Sequence, residues 1–319
     1  VARGNVVLHG PPRVVLAPDE VALVSLMKDA AYFIGPFIAH HQALGVRHIV
    51  IVDNGSNDDT VLIAKGFSGV TVIRNTLPAK RHEVLLREVA TRQVLQGGWV
   101  LFADADEMFE TPMGVALPRL LAYLNAQGFT AMVAQMLDLY APQVYGDSKG
   151  WTYPEVIARA DHYSLGQVTS LAYHDRDQIG FSWFLAQNTA PESVTLKIGG
   201  LRAELFGEAC FLSKHSLVRN LAGIGLMTHP HCASGVQVAD VTGLLRHYKL
   251  AGDYLARDRA SVAAGTWDHA EDAKRLAAAK GGDGFMPKPR AAQTYSGVRE
   301  LVDQGFLVVS DSYRRAISK

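Results

Sequence analysis

Two aspartates one residue apart, Asp104 and Asp106, follow an apolar run, Val100-Leu101-Phe102, within WVLFADADEMFE at residues 99–110. In an extended chain, side chains two apart lie on the same side, so both carboxylates can face one point. That arrangement suits a hard divalent cation. Magnesium or manganese takes one or two protein carboxylates and completes its shell with water and the oxygens of a bound phosphate. An isolated Asp-x-Asp is also a common solvated turn, so its context must decide.

The context is a series of strands that end in polar residues. Val21–Met27 (VALVSLM) has the composition of a buried strand and runs into Lys28-Asp29, with residues 14–16 as a candidate edge strand before it. Ala31–Leu44 carries apolar residues at helical spacing, with Gly35-Pro36 near its start and Gly45 as C-cap. Residues 48–52 (HIVIV) form a second buried strand that opens into DNGSND, at residues 53–58. Ser56-x-x-Asp59 approximates a capping box for a short helix through Lys65. Residues 70–73 read as a third strand and residues 81–96 as a longer helix ended by Gly97-Gly98, before the strand that leads to Asp104. Alternating strands and helices predict an α/β fold with a mostly parallel central sheet flanked by helices. Ligands on such sheets lie beyond the carboxyl ends of the strands, where Asp29, Asp53 with Asn54, and Asp104 with Asp106 all fall.

Composition narrows the function. The chain has 319 residues, 48% of them hydrophobic, enough to bury a sizeable core in one large or two small domains. Its 31 basic and 31 acidic residues cancel, so no global field gathers nucleic acid, and no nucleic-acid partner is expected. Two cysteines, Cys210 and Cys232, are too few for a disulfide framework and read as free buried thiols, which suits a cytoplasmic protein. No apolar run reaches the roughly 18–20 residues that span a bilayer.

The run VSLMKDAAYFIGPFIAHHQALGVRHIVIVDNGSNDDT, followed by WVLFADADEMF, resembles the nucleotide-sugar domain of family 2 glycosyltransferases, in particular a bacterial branch with a DxDE motif. The likeness covers about residues 21–140 and is patchier afterwards. It implies a two-lobed GT-A fold and metal-dependent transfer of a sugar from a nucleotide diphosphate donor, UDP-sugar favoured, with an inverting outcome. By the same resemblance, Asp29 holds the base or ribose, and Asp53, Asn54, Ser56 and Asp58 line the nucleoside pocket. Asp104 and Asp106 bind ribose and metal, Mn2+ or Mg2+. Arg81 and Lys214 would serve as cations near the diphosphate. His229 first and His247 second are the candidates for a histidine returned to the metal, with Lys249 as a base on the diphosphate. The sequence departs from the family at Lys28-Asp29, usually Asn-Glu, and at Gly35-Pro36, usually an acid-aromatic pair.

The second half supplies the acceptor side. Residues 131–139 continue the sheet, and the aromatic-rich region that follows is a candidate acceptor pocket, with Trp151, Tyr153, Tyr173 and Trp183 available to stack on sugar faces. The glycines of IGGLR, at residues 198–202, allow close backbone approach to a ligand. An inverting transfer needs a carboxylate within reach of the acceptor hydroxyl; Glu204, Asp177 and Asp240 are available, and Glu204 is favoured because it follows the glycine loop. Helices are expected at Tyr254–Ala264, residues 268–280 and residues 293–304. The expected organisation is a nucleotide-sugar half at residues 1–140, an acceptor and metal-completing half of the same domain at 141–252, and a helical region at 253–319. A glycan or lipid-linked acceptor is expected, with peripheral contact at the inner face of a membrane as a further candidate. Two alternatives stand beside sugar transfer: a catalytically silent sugar- or partner-binding module on the same fold, and a sugar nucleotidyltransferase.

Overall fold

The structure is a computed structural model that describes residues 4–266, 270–280 and 282–318. Its centre is a nine-stranded sheet built from the apolar runs. In chain order the strands are β1 (Val6–His9), β2 (Val21–Met27), β3 (His48–Asp53), β4 (Val70–Arg74), β5 (Trp99–Phe102), β6 (Glu107–Glu110), β7 (Ala131–Asp138), β8 (Ser213–Arg219) and β9 (Gly243–His247). They lie in the order β1-β4-β3-β2-β5-β8-β7-β9-β6. The strands β4, β3, β2 and β5 run parallel to one another. β8 is inserted antiparallel between β5 and β7, while β9 is parallel to β7. The α/β architecture expected from the sequence is therefore borne out.

Successive residues of each central strand serve opposite faces, so both faces are covered. Leu23, Ile49, Ile51 and Leu101 enter one buried cluster, and Ala22, Val24, Val50, Val52, Val100 and Phe102 enter the other. Burial on both sides is why these runs are continuously apolar instead of alternating. Helix α1 (Ala31–Leu44) contributes Ile34, Phe37 and Ile38 to the first cluster, and α3 (Ala79–Val94) contributes Leu86, Ala90 and Val94 to the second.

Several local expectations shift. The short helix α2 spans Thr60–Lys65, but Ser56 and Asp59 form no capping box with it: the Ser56 hydroxyl accepts the Asp29 N–H at 2.9 Å, and the Asp59 side chain makes no cap bond. The helix α3 starts at Ala79, two residues before Arg81, with Pro78 as its N-cap at φ −56°. That helix stops at Val94 because Leu95–Gln96 pairs with Val14–Val15 as a short parallel strand. Gly97 and Gly98 then turn the chain with φ of 72° and 62°, and a Cβ on Gly98 would lie 2.5 Å from the Leu16 Cβ. In the C-terminal region Tyr254–Ala264 is helical as expected, and Glu271–Ala278 lies within the second expected helix, whose start at Asp268 falls outside the described residues, as does Gly281. Residues 293–304 are not one helix. Ala292–Thr294 pairs with His162–Ser164, and Gly297 (φ 134°) separates that strand from a helix at Val298–Asp303. A further helix, Asp311–Ile317, is capped by Ser310. Both cysteines are free and buried, and no described helix is long and apolar enough to cross a membrane.

Candidate active site

Strand direction decides which side chains share a rim. The carboxyl ends of β2, β3, β5, β7 and β9 all point one way, which puts Asp29, Asp53, Asp104, Asp138 and His247 at one edge. Because β8 runs the other way, its beginning lies there too and delivers Lys214. Likewise β6 is antiparallel to β9, with Glu107 opposite His247.

The β2 and β3 ends are tied together by hydrogen bonds. Asp29, at φ 50°, accepts the Asn57 N–H at 2.7 Å. Burial would raise the Asp58 carboxyl, but it accepts from Thr60 Oγ1, from Ala31 N at 2.9 Å and from Thr60 N at 3.0 Å, and these bonds hold it below the ordinary range. Asp53 is buried, accepts the Ser56 N–H at 3.0 Å and pairs with Arg74 at 2.6 Å. The Asn54 amide donates to the carbonyls of Asn75 and Leu77, both at 2.7 Å. Five residues expected to line a nucleoside pocket thus build two loops side by side.

Ionic contacts dominate at the other strand ends. Residues 104–107 form a turn closed by Glu107 N–H donating to Asp104 O at 3.0 Å, so Asp104 and Asp106 are not successive outward residues of an extended strand as the spacing suggested. They take different partners. Asp104 meets Arg87 at 2.5 Å and Lys214 at 2.9 Å, and Lys214 also reaches both oxygens of Glu107 at 2.8 Å. Lys214 and Glu107 are almost wholly buried, whereas the Asp104 side chain is 36% exposed. Burial pushes the Asp104 carboxyl up, but Arg87 and Lys214 together hold it well below the usual range.

Asp106 faces His247, with 3.4 Å between Oδ2 and Nε2, and the other imidazole nitrogen meets Asp138 at 2.5 Å. Burial alone would lower the His247 pKa; Asp106 and Asp138 lift it to about 9. Asp138 in turn accepts from Arg202 Nε at 3.0 Å, so the arginine of the glycine loop supports this relay from behind. With Asp138 on Nδ1, Nε2 is turned to Asp106, an arrangement common behind metal-binding histidines, and a cation bound there would displace the Nε2 proton. Asp106 and His247 therefore fit a divalent cation as two protein ligands, with the remaining positions left to water and phosphate oxygens. The charge of Lys249 also acts on Asp106, and so does that of Arg257, whose guanidinium lies over the Tyr32 and Phe33 rings. Among the described residues a second set of donors, Glu208, Cys210 and Glu271, lies close together. The Arg202 guanidinium already stands against both of its carboxylates, at 3.0 and 3.7 Å, which disfavours another cation.

Residues 39–138 match the sequence profile described as Glycosyl transferase family 2. Over that stretch the chain is similar to family 2 glycosyltransferases. A glycosyltransferase family 92 protein of Ricinus communis is 28% identical over 103 residues, 31% of this chain and 19% of the relative. Two crystal structures of glucosyl-3-phosphoglycerate synthase from Mycobacterium tuberculosis, with Mn2+, UDP and either glucosyl-3-phosphoglycerate or phosphoglyceric acid, are 20% identical. They cover 37% of this chain and 44% and 43% of theirs, with a TM-score of 0.27. The chain thus spans about a fifth of the Ricinus relative's length and less than half of either solved chain.

The family 2 segment ends at Asp138, so Lys214, His247, Lys249 and Arg257 reach the rim from beyond it. His229 is stacked on Phe181 at 4.2 Å between centroids. Its neighbour His231 stands nearer the first ionic group: the charges of Lys214 and Asp104 both act on it, and burial pushes its pKa to about 3. Arg81 is exposed near the start of α3. Both oxygens of Glu204 accept hydrogen bonds, from Ser164 Oγ at 2.8 Å and Arg290 N at 2.5 Å, and its charge acts on Tyr140. Tyr153 and Tyr173 are core residues, Trp183 is 63% exposed, and Trp151 lines a cleft beyond β7. Asp138, Arg87 and Arg257 were not singled out from sequence. Asp138 carried the same signal as Asp104, an acid at the end of an apolar strand.

Proposed function

We propose that the protein transfers a sugar from a nucleotide diphosphate donor, with a UDP-sugar favoured, to a glycan or lipid-linked acceptor, with inversion and with a divalent cation. The observation that carries this is the Asp106–His247–Asp138 relay at the carboxyl rim of a family 2 sheet. Asp106 and His247 would hold the cation, which when bound offsets the negative charge that grows on the departing diphosphate. Lys249 and Arg257 add positive charge near Asp106. Lys214 and Arg87 keep Asp104 ionised, so its exposed edge is available to a ribose hydroxyl as an acceptor. The loops of Asp29, Asp53, Asn54, Ser56 and Asp58 would shape the nucleoside pocket through backbone position. Glu204 is the proposed base: a carboxylate beside Tyr140 can take the acceptor hydroxyl's proton.

Thermal unfolding with UDP, with and without Mn2+, tests the reading. The parent is expected to melt higher with UDP and Mn2+ together, and Asp106→Asn to lose that increment. Equal increments in parent and variant would remove Asp106 from the site, and no increment in the parent would remove the donor.

A further inference from the structure

The sequence offers Tyr153 for stacking on a sugar, but in the fold its ring is taken up by packing. It meets Phe33 at 4.9 Å between centroids, Tyr32 at 5.6 Å and Tyr248 at 5.8 Å, and the residue is only 1% exposed. What packing leaves over is the hydroxyl. It is buried, and no described residue hydrogen-bonds it. A buried hydroxyl without a partner is costly, so one that the fold keeps calls for a partner.

The surroundings narrow down that partner. Tyr153 opens the helix Tyr153–Arg159, whose first turn is fixed by a capping box in which the Thr152 N–H donates to Glu155 at 2.8 Å. Its ring neighbour Tyr248 follows His247 and donates its N–H to the Asp106 carbonyl at 2.9 Å. The other two neighbours, Tyr32 and Phe33, lie under the Arg257 guanidinium, on which the charge of Asp106 also acts. Each ring around Tyr153 thus leads back to Asp106. Burial, and after it the charge of Asp106, push the Tyr153 pKa up, so the group remains a protonated donor. Arg246, the other charged side chain that acts on it, has no acceptor to offer and is paired with Glu110 at 2.6 Å. A donor kept near an anion but outside direct hydrogen-bond distance suits a bridging water.

We propose that Tyr153 is a positioning residue for the divalent cation, its hydroxyl donating to a water of the cation's shell. The claim rests on the reading that Asp106 and His247 hold the cation. Two protein ligands leave several positions to water, and groups that hydrogen-bond the shell from outside fix its orientation. The packed ring and the capped first turn hold the hydroxyl in place, so little order is lost when the shell forms.

Calorimetric titration of the full chain with UDP, once in Mn2+ and once in EDTA, decides this. In the parent, Mn2+ is expected to tighten UDP binding. Asp106→Asn is expected to remove that gain, and Tyr153→Phe to cut it about tenfold while leaving the EDTA series unchanged. Because Tyr153→Phe takes away no hydrogen bond within the protein, its metal-free melting temperature is expected to equal or exceed the parent's. A full Mn2+ gain in Tyr153→Phe, beside its loss in Asp106→Asn, would strike out Tyr153 alone. Equal weakening in both series, or a lower metal-free melting temperature, would make Tyr153 a packing residue and overturn the assignment. No Mn2+ gain in the parent would instead end the cation reading, and the role of Tyr153 with it.

Discussion

The two ends of the strand rim solve the same problem differently. At β2 and β3, the carboxylates of Asp29 and Asp58 are satisfied by backbone N–H groups of Asn57, Ala31 and Thr60, and only Asp53 takes a charged partner. At β5, β7, β8 and β9, the anions Asp104, Glu107, Asp106 and Asp138 are matched by Arg87, Lys214, His247 and Arg202. A carboxylate held by N–H groups fixes the path of a loop. One held by a cation also leaves a charge that can be traded when a ligand arrives. The first half therefore sets shape and the second holds replaceable charge.

Lys214 gives the largest expected effect. Its ammonium and Glu107 are both almost wholly buried, so Lys214→Met leaves Glu107 without a counter-charge. Breaking a buried pair from one side costs about 3–5 kcal/mol, while replacing both partners with apolar residues recovers much of it. Urea unfolding is expected to show that loss in Lys214→Met and a smaller one in the double variant with Glu107→Met. A loss below about 1 kcal/mol would erase the difference between the two ends of the rim.

Next in size is a pH effect whose sign differs along the chain. The folded pKa of His247, about 9, is above its ordinary 6.5, so its contribution to stability is fully present below 6.5 and is lost as pH rises through 9. The shift corresponds to an upper limit on the order of 3 kcal/mol. His41, buried in α1, goes the other way: burial holds it neutral with a pKa of about 3, so stability falls as pH drops below 6.5 toward 3. Melting temperature followed across both limbs is expected to flatten on the alkaline side in His247→Gln and to keep its acid side. An unchanged alkaline limb would detach His247 from Asp106 and Asp138.

Much of this rim was legible because strand ends are local. Val21–Met27 and Ala31–Leu44 appear with the expected bounds, and the polar residues after β2, β3 and β5 fall on one edge. What stayed hidden depends on pairings between distant segments. Lys214 finds Glu107 across 107 positions only because β8 enters antiparallel between β5 and β7, and no periodicity in FLSKHSLVR encodes that direction. The turn at residues 104–107 was misjudged for a related reason: its shape is set by the Glu107 carboxylate, which accepts the Asp104 N–H at 2.7 Å while gripping Lys214. The position of His247, beside Asp138 and opposite Glu107, was likewise a matter of strand register.

The smallest expected effect lies at Asp58. Its carboxylate accepts from Ala31 N, Thr60 N and Thr60 Oγ1, the last at 2.5 Å, yet the residue is exposed, so water can replace the lost acceptor. Asp58→Ala is therefore expected to cost about 1 kcal/mol, in the range of a lost helix-entry acceptor, and Asp58→Asn less because one oxygen remains. Amide exchange separates the effect from global unfolding: Ala31 and Thr60 should exchange faster in Asp58→Ala while the β2 and β3 amides keep their protection. A global loss as large as that of Lys214→Met would mean that the loop carboxylates bear the fold as the buried ions do, and the division of the rim into a shaping half and a charged half would fail.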